Sequence, residues 1–296
     1  MHVGVAGLGR MGAAMAARLA EVGHRVSGWN RSAEKAQPLA AAGVTIVPTP
    51  AALATGAETV ITSLTDAAAI DAVYGGPSGL LSGPVDGRLF IEMSTVEPAA
   101  EIALAAKVRA KGAAFVECPV GGTVGPARTG KLIGLMGAEE PDAVRARPLL
   151  EQLCRRLEHV GPVGAGAVMK LAINMPLMIY WQALGETLAL CRDVKLDPAH
   201  LMDLFSDTSG GPNVLKVRGG PIADMLKGGA GGAATFDIDS CRKDLRVMLA
   251  EGQVRGIAMP LVERTLACFD EASRAGWGGR DAGAHSVYWA QRRRMG

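Results

Sequence analysis

Apolar residues change their rhythm once along this chain. Through the first half they come in short runs, at residues 3–6, 24–29, 44–47, 59–63, 89–92, 115–117, 132–136 and 156–160, separated by stretches of helical periodicity. Short apolar runs alternating with helical stretches predict a mostly parallel sheet with helices on both faces. After Gly161-Pro162 the strand signals stop. One long apolar run from Gly164 to about Cys191 predicts a helix buried nearly all round, with Pro176 kinking it. Shorter helices are expected at about 198–205, 212–226, 240–252 and 260–275, and a last one runs to Arg292-Arg293-Arg294, charges that favour a helix C-terminus. Gly228-Gly229-Ala230-Gly231-Gly232 reads as a mobile loop. The expected fold is α/β over residues 1–162, followed by a long interdomain helix and an all-α domain over 163–296.

The first apolar run is followed at once by Gly7-Leu8-Gly9-Arg10-Met11-Gly12 and an Ala-rich helix, with a second strand after Gly23. In that context Gly-x-Gly-x-x-Gly is a dinucleotide fingerprint. Gly7 permits the tight turn, Gly9 lets the backbone approach a pyrophosphate, and Gly12 lets helix and strand pack closely. Where an NAD site usually carries an acid on the ribose 2′-hydroxyl, this chain has Asn30-Arg31-Ser32. A carboxylate would repel a 2′-phosphate, whereas amide, guanidinium and hydroxyl can all hydrogen-bond it, so NADP is favoured over NAD. Loops leaving the C-terminal ends of later strands, with Leu64 and Thr95 among their residues, are expected to face the cofactor. The next such loop, 118–125, holds Gly121, Gly122 and Thr123; its glycines either free backbone amides for an anion or make an ordinary tight connection.

Bulk numbers narrow the partners. Lys and Arg number 31 against 29 Asp and Glu, which leaves no basic field for nucleic acid, so a small metabolite is the expected ligand. The five cysteines show neither close pairing nor metal-ligand spacing, so a reduced cytoplasmic setting is expected and no metal. The long apolar run is broken by Asn174, Gln182 and Glu186, too polar for a membrane span, and no secretory leader is expected.

Chemistry concentrates where the long helix begins, in Gly164-x-Gly166-x-x-x-Lys170-x-x-x-Asn174. Lys170 and Asn174 are one turn apart on one helix face, close enough to act on one ligand. A lysine in so apolar a helix is costly to desolvate unless a partner or a cleft relieves it, which marks Lys170 out; the lesser reading is a lysine that snorkels to solvent at the start of a core helix. Lys243, near the first turn of a later helix, reads by itself as a surface lysine.

Taken together, the fingerprint 7–12, Pro119-Val120-x-Gly122, the Gly164-to-Asn174 pattern, and Phe236 followed by Lys243-Asp244-Leu245 make the chain resemble the β-hydroxyacid dehydrogenases over nearly its whole length. The group includes 3-hydroxyisobutyrate dehydrogenase and the glyoxylate/succinic semialdehyde reductases. The resemblance implies a Rossmann domain, an interdomain helix, and a helical domain that mediates assembly as a homodimer or homotetramer. It implies that Lys170 is the general acid/base, that Asn174 holds a small carboxylated carbonyl or alcohol, and that Lys243, beside cofactor and substrate, helps anchor the carboxylate. Three departures accompany it. The family's Pro-Val-Ser-Gly-Gly loop ends here in Gly121, Gly122 and Thr123; Ile173 replaces the first of two asparagines; and Pro176 lies inside the helix. Two rival readings stay open: an imine reductase with the same Asn-Arg-Ser loop, against which Lys170 argues, and a dinucleotide-binding regulator without turnover.

Overall fold

The short apolar runs of the first half fold as the strands of one sheet. The structure, a computed structural model, describes residues 1–292. Arg293 and Arg294 of the expected C-terminal arginine run lie outside the described residues. The strands are β1 (His2–Ala6), β2 (Arg25–Trp29), β3 (Val44–Ile46), β4 (Thr59–Thr62), β5 (Leu89–Glu92), β6 (Ala114–Glu117), β7 (Val120–Gly121), β8 (Leu132–Gly137) and β9 (Cys154–Gly161). From β3 through β2, β1, β4 and β5 to β6 every pairing is parallel. β8 runs antiparallel to β6 and β7, and β9 pairs parallel with β8. The two-residue β7 is a finding: the glycine-containing loop carries too few apolar residues to announce a strand.

Successive strand residues point to opposite faces. Val60, Phe90 and Phe115 enter one core, and their neighbours Ile61, Ile91 and Val116 enter the other. Helices therefore cover both sides, as the apolar runs require. β1 sits where the strand order reverses, with β2 on one side and β4 on the other, so the loop after β1 opens at the topological switch point.

The chain divides into two compact units, Met1–Ala172 and Ile173–Gly296, and the helix Ala165–Leu190 runs through the division. Its buried positions, Gly166, Ala167, Lys170, Leu171, Asn174, Met178, Trp181, Gln182, Leu184, Gly185 and Leu188, recur at helical spacing and form a stripe. The expectation that the helix is buried nearly all round is corrected here. Met169 and Ile173 are 42% and 43% exposed and Leu190 is 87% exposed. Apolar composition on every face does not give burial on every face when packing covers only one stripe. The helical assignment is continuous through Pro176.

The second unit is helical: Pro198–Ser206, Asn213–Leu226, Ile238–Val254, Pro260–Ala272 and Ala284–Gln291. The helix expected to reach residue 275 ends at Ala272, and a wider turn follows in which Gly276 takes a left-handed φ of 86°. His285 is buried, stacked on Phe269 at 3.7 Å, with Nε2 2.6 Å from Gln182 Oε1; burial pushes its pKa down to about 3. The glycine run after Leu226 is tied down by Asp224, whose carbonyl oxygen accepts from Gly229 N and whose Oδ2 accepts from Gly231 N, each at 2.9 Å. Among the described residues no helix is long and apolar enough to cross a membrane.

The first unit also buries three carboxyls, Glu92, Glu101 and Glu117. Glu92 accepts from Ser94 N at 2.7 Å and from the Thr62 hydroxyl, which in turn meets Tyr74 Oη at 3.0 Å. Burial pushes Glu92 and Glu117 up to about 7, and burial with repulsion from Glu92 and Glu117 holds Glu101 well above the usual carboxylate range. Each folded carboxyl thus holds its proton more tightly than the unfolded chain does. For Glu92 and Glu117 the stability this contributes is complete below the ordinary carboxylate range and is lost as pH rises through about 7, on the order of a few kcal/mol per group, and Glu101 acts in the same direction. Thermal unfolding should accordingly show a Tm that falls between about pH 5 and about pH 8, and Glu101→Gln should flatten the slope. A wild-type Tm that rises over that interval would refute the assignment.

Candidate active site

The fingerprint glycines occupy three different environments. Gly7 has φ of 91°, and a Cβ there would lie 2.2 Å from the Ser63 carbonyl oxygen. At Gly12, in the helix Arg10–Glu21, a Cβ would lie 1.9 Å from the Gly7 carbonyl oxygen, so that helix touches the turn only because the side chain is missing. Gly9 is exposed, and a Cβ there would meet nothing within 4 Å. The first two are constrained by the protein itself, while the third faces open space beside a helix N-terminus. That is the cradle a pyrophosphate requires.

Around it lies a cavity of about 350 Å³, lined by Gly7, Gly9, Trp29, Arg31, Leu64 and Thr65 among others. Its rim is built from the C-terminal ends of β1, β2 and β4 and from residues 69–79, and the strand ends are tied to one another and to the loop after β5. Gly7 N donates to Trp29 O at 2.9 Å, Ser63 N to Ala6 O at 3.0 Å, and Leu64 N to Ser94 Oγ at 2.8 Å. Asn30 has a part that the residue order did not reveal. Its Oδ1 accepts from Leu8 N at 3.0 Å and its Nδ2 donates to Ser32 O at 2.9 Å, so the amide splints the glycine turn to the loop after β2. Arg31 and Ser32 are exposed on that loop, Leu8 is buried, Arg10 is exposed at the first helical position, and Met11 packs half-buried against the core. Thr95, beyond β5, is half-buried.

In the loop after β6, Gly121 belongs to β7 and pairs with Ile133. Gly122 has φ of 123°, and a Cβ there would lie 2.9 Å from Leu132 Cδ2, so this position demands glycine. Thr123 is half-buried and precedes the short helix Val124–Arg128. The loop is thus partly committed to the sheet.

Lys170 is 8% exposed and Asn174 9% exposed. Within the second unit, Asn174 Nδ2 donates to Asp244 Oδ2 at 3.2 Å, and Lys243 Nζ lies 2.7 Å from Asp244 Oδ1. Asp244 is buried and bridges the two. It stands inside the quoted Lys243-Asp244-Leu245, yet no role follows for it from sequence, because an acid beside a lysine on a helix usually faces water. The helix carrying both, Ile238–Val254, begins two residues earlier than expected, capped by Asp237, which accepts from Ser240 N at 2.8 Å.

With this geometry in place, relatives can be compared. Residues 2–161 match the NAD-binding domain of 6-phosphogluconate dehydrogenase, and residues 164–288 match the NAD-binding region of NADP-dependent 3-hydroxyisobutyrate dehydrogenase. The chain is 35% identical over 260 residues to a 3-hydroxyisobutyrate dehydrogenase of Pseudomonas aeruginosa, covering 86% of each chain. It is 32% identical over 284 residues to glyoxylate/succinic semialdehyde reductase 1 of Arabidopsis thaliana, covering 96% of each. The chain belongs to the β-hydroxyacid dehydrogenase family. It is an NADP-dependent oxidoreductase acting on a CH–OH group. The solved structure of Psf3 in complex with NADP+ and 2-OPP superposes with a TM-score of 0.86 at 26% identity, over 96% of this chain and 99% of that one.

The glycine environments separate folding from binding. Gly12→Ala forces the first helix off the turn and should cost about 1–3 kcal/mol of stability, seen as a lowered Tm. Gly9→Ala should leave Tm unchanged while weakening NADPH binding by about tenfold or more, close to 1.4 kcal/mol. Normal NADPH affinity in Gly9→Ala, measured by fluorescence titration, would remove Gly9 from the pyrophosphate.

Proposed function

We propose that the protein interconverts a small β-hydroxyacid, or a related carboxylated alcohol, with its semialdehyde or ketone, and that Lys170 is its general acid/base. The observation that carries this reading is a lysine held 8% exposed on the buried stripe of the long helix, one turn before an equally buried asparagine. Holding a cation in such a place costs desolvation free energy, and buried ionisable groups of this kind concentrate at functional sites. Reducing a carbonyl requires a hydride at carbon and a proton at oxygen, and bound NADPH supplies the hydride. Lys170 Nζ gives the proton to the carbonyl oxygen and, in the oxidative direction, takes it from the hydroxyl. Asn174 holds the reacting oxygen, its amide oriented by Asp244. Lys243, held by the same carboxylate, anchors the substrate carboxylate. Gly121, Gly122 and Thr123 border the substrate. Support for the substrate class comes from the relatives, which are named for small carboxylated alcohols and aldehydes.

On the cofactor side, Gly7 to Gly12 receive the pyrophosphate, Arg31 and Ser32 the 2′-phosphate, with Leu64 and Thr95 along the path. We take residues 1–162 as the cofactor domain and 163–296 as the long helix with the substrate and assembly domain. A homodimer or homotetramer is the proposed assembly, consistent with exposed apolar side chains such as Val217 at 73% and Val254 at 81%. The five cysteines are free, as a reducing cytoplasm would keep them.

Two variants test the assignment with a panel of semialdehydes, glyoxylate and cyclic imines. Lys170→Ala should bind NADPH normally while turnover falls by about 10²–10⁴-fold. Near-normal turnover in that variant, or a preference for cyclic imines in the parent enzyme, would overturn the reading. Arg31→Ala should lose roughly tenfold in NADPH affinity and barely change for NADH. Tighter binding of NADH than NADPH by the wild-type protein would contradict the 2′-phosphate assignment.

A further inference from the structure

The helix Ala165–Leu190 starts without a capping side chain of its own. The residues that lead into it, Pro162-Val163-Gly164, and its first turn, Ala165-Gly166-Ala167, contain no Ser, Thr, Asp or Asn. The early amides of a helix need acceptors, and when local residues offer none the acceptor must come from elsewhere. Here it is Glu117, the last residue of β6. Glu117 Oε1 accepts from Gly164 N and from Gly166 N, both at 2.7 Å, across 47 and 49 residues of chain.

Two glycines make room for that carboxyl. A Cβ at Gly166 would lie 3.0 Å from Glu117 Oε1, and one at Gly137, at the end of β8, would lie 2.2 Å from it. Each glycine of the Gly164-x-Gly166 pattern thus has a physical reason: Gly164 takes a left-handed φ of 101°, and at Gly166 a Cβ would press on Leu135 O at 2.4 Å and on the Glu117 carboxyl. Glu117 is fully buried, and its second oxygen has no hydrogen-bond partner. A buried carboxyl with an unused oxygen is expensive, and a leucine would fill the space at lower cost.

Lys170 lies four residues beyond Gly166, about one turn and 6 Å up the axis. We propose that Glu117 is a positioning residue for Lys170: by holding the amides of Gly164 and Gly166 it fixes the register and rotation of the first turn, and through them the place of the Lys170 ammonium. This rests on Lys170 as the acid/base proposed above. Displacement of a reacting group by about 1 Å can cost about 10²-fold in rate, so loss of the cap acts on kcat.

The experiment compares Glu117→Ala, Glu117→Gln, Lys170→Ala and the Lys170→Ala/Glu117→Ala double variant by kcat, KM, NADPH Kd and Tm. Glu117→Ala should lower kcat by about tenfold or more per NADPH-binding site, with KM and NADPH Kd within about twofold of wild type. Glu117→Gln keeps a carbonyl oxygen for the two amides and should recover most of the loss. In the Lys170→Ala background, Glu117→Ala should cost no further turnover, because its effect passes through the lysine. Wild-type kcat in Glu117→Ala with only a lowered Tm would make Glu117 structural and overturn the proposal. So would a glutamine variant as slow as the alanine, or an additive loss in the double variant. Should Glu117→Ala not fold, Glu117→Asp takes its place: its shortened carboxyl withdraws from the amides, so kcat must fall, and an unchanged kcat overturns the proposal. A Lys170→Ala enzyme that still turns over removes the underlying reading, an outcome distinct from a slow Lys170→Ala beside a normal Glu117→Ala.

Discussion

A single carboxyl oxygen accepting two backbone amides is the contact on which the site's order in the first unit depends. Glu117 Oε1 joins the end of β6 to the start of the long helix, at Gly164 and Gly166. The residues immediately after Glu117 lead into Val120 and Gly121, which pair with β8. One strand end therefore sets both the helix that carries Lys170 and the loop proposed to border the substrate. The cost is a carboxyl taken out of water, and glycine at Gly137 and Gly166 is the condition for accepting it.

A second set of contacts serves the cofactor side by a different means. There the loops after β1, β2, β4 and β5 are linked by short backbone and side-chain hydrogen bonds, with Asn30 spanning two of them and Ser94, which holds Leu64, resting on the buried Glu92. An amide at this position does what a carboxylate would do for the Leu8 amide, since both offer an acceptor oxygen. It does so without the negative charge that a 2′-phosphate would meet. The cofactor preference thus follows from the same substitution that keeps the turn tied, and the exposed guanidinium of Arg31 adds to it.

Much of this was legible beforehand because it is written in local pattern. Strands buried on both faces announce themselves as apolar runs, and the glycines of the fingerprint must be glycine for reasons of turn and packing that hold wherever the motif sits on a strand and a helix. Other features depend on contacts distant in sequence. Glu92 and Glu117 end apolar strands and read as the place where a strand meets solvent, yet both are fully buried. Nothing local distinguishes a carboxylate at a loop mouth from one that reaches a helix 47 residues later. Asp244 was hidden for the same reason, since its partner Asn174 lies 70 residues away. β7 escaped because two residues carry no periodicity, and the exposed face of the long helix escaped because composition does not say which face is packed.

The buried acids bring position and stability into opposition. Near neutral pH the carboxyls of Glu92, Glu101 and Glu117 weaken the fold, since burial resists their ionisation while the solvent-exposed chain ionises freely. An apolar cluster at the same place would hold the sheet together better, but it would leave the first amides of the long helix without an acceptor and the start of that helix free to fray or shift. A helix end held only by packing can slide by fractions of an ångström at little cost, whereas two hydrogen bonds of 2.7 Å to one oxygen define both height and rotation. For a lysine that must meet a carbonyl oxygen at hydrogen-bond distance, that definition is worth more than the stability forgone. The unit carries a deliberate weakness directly beneath the residue proposed to do its chemistry.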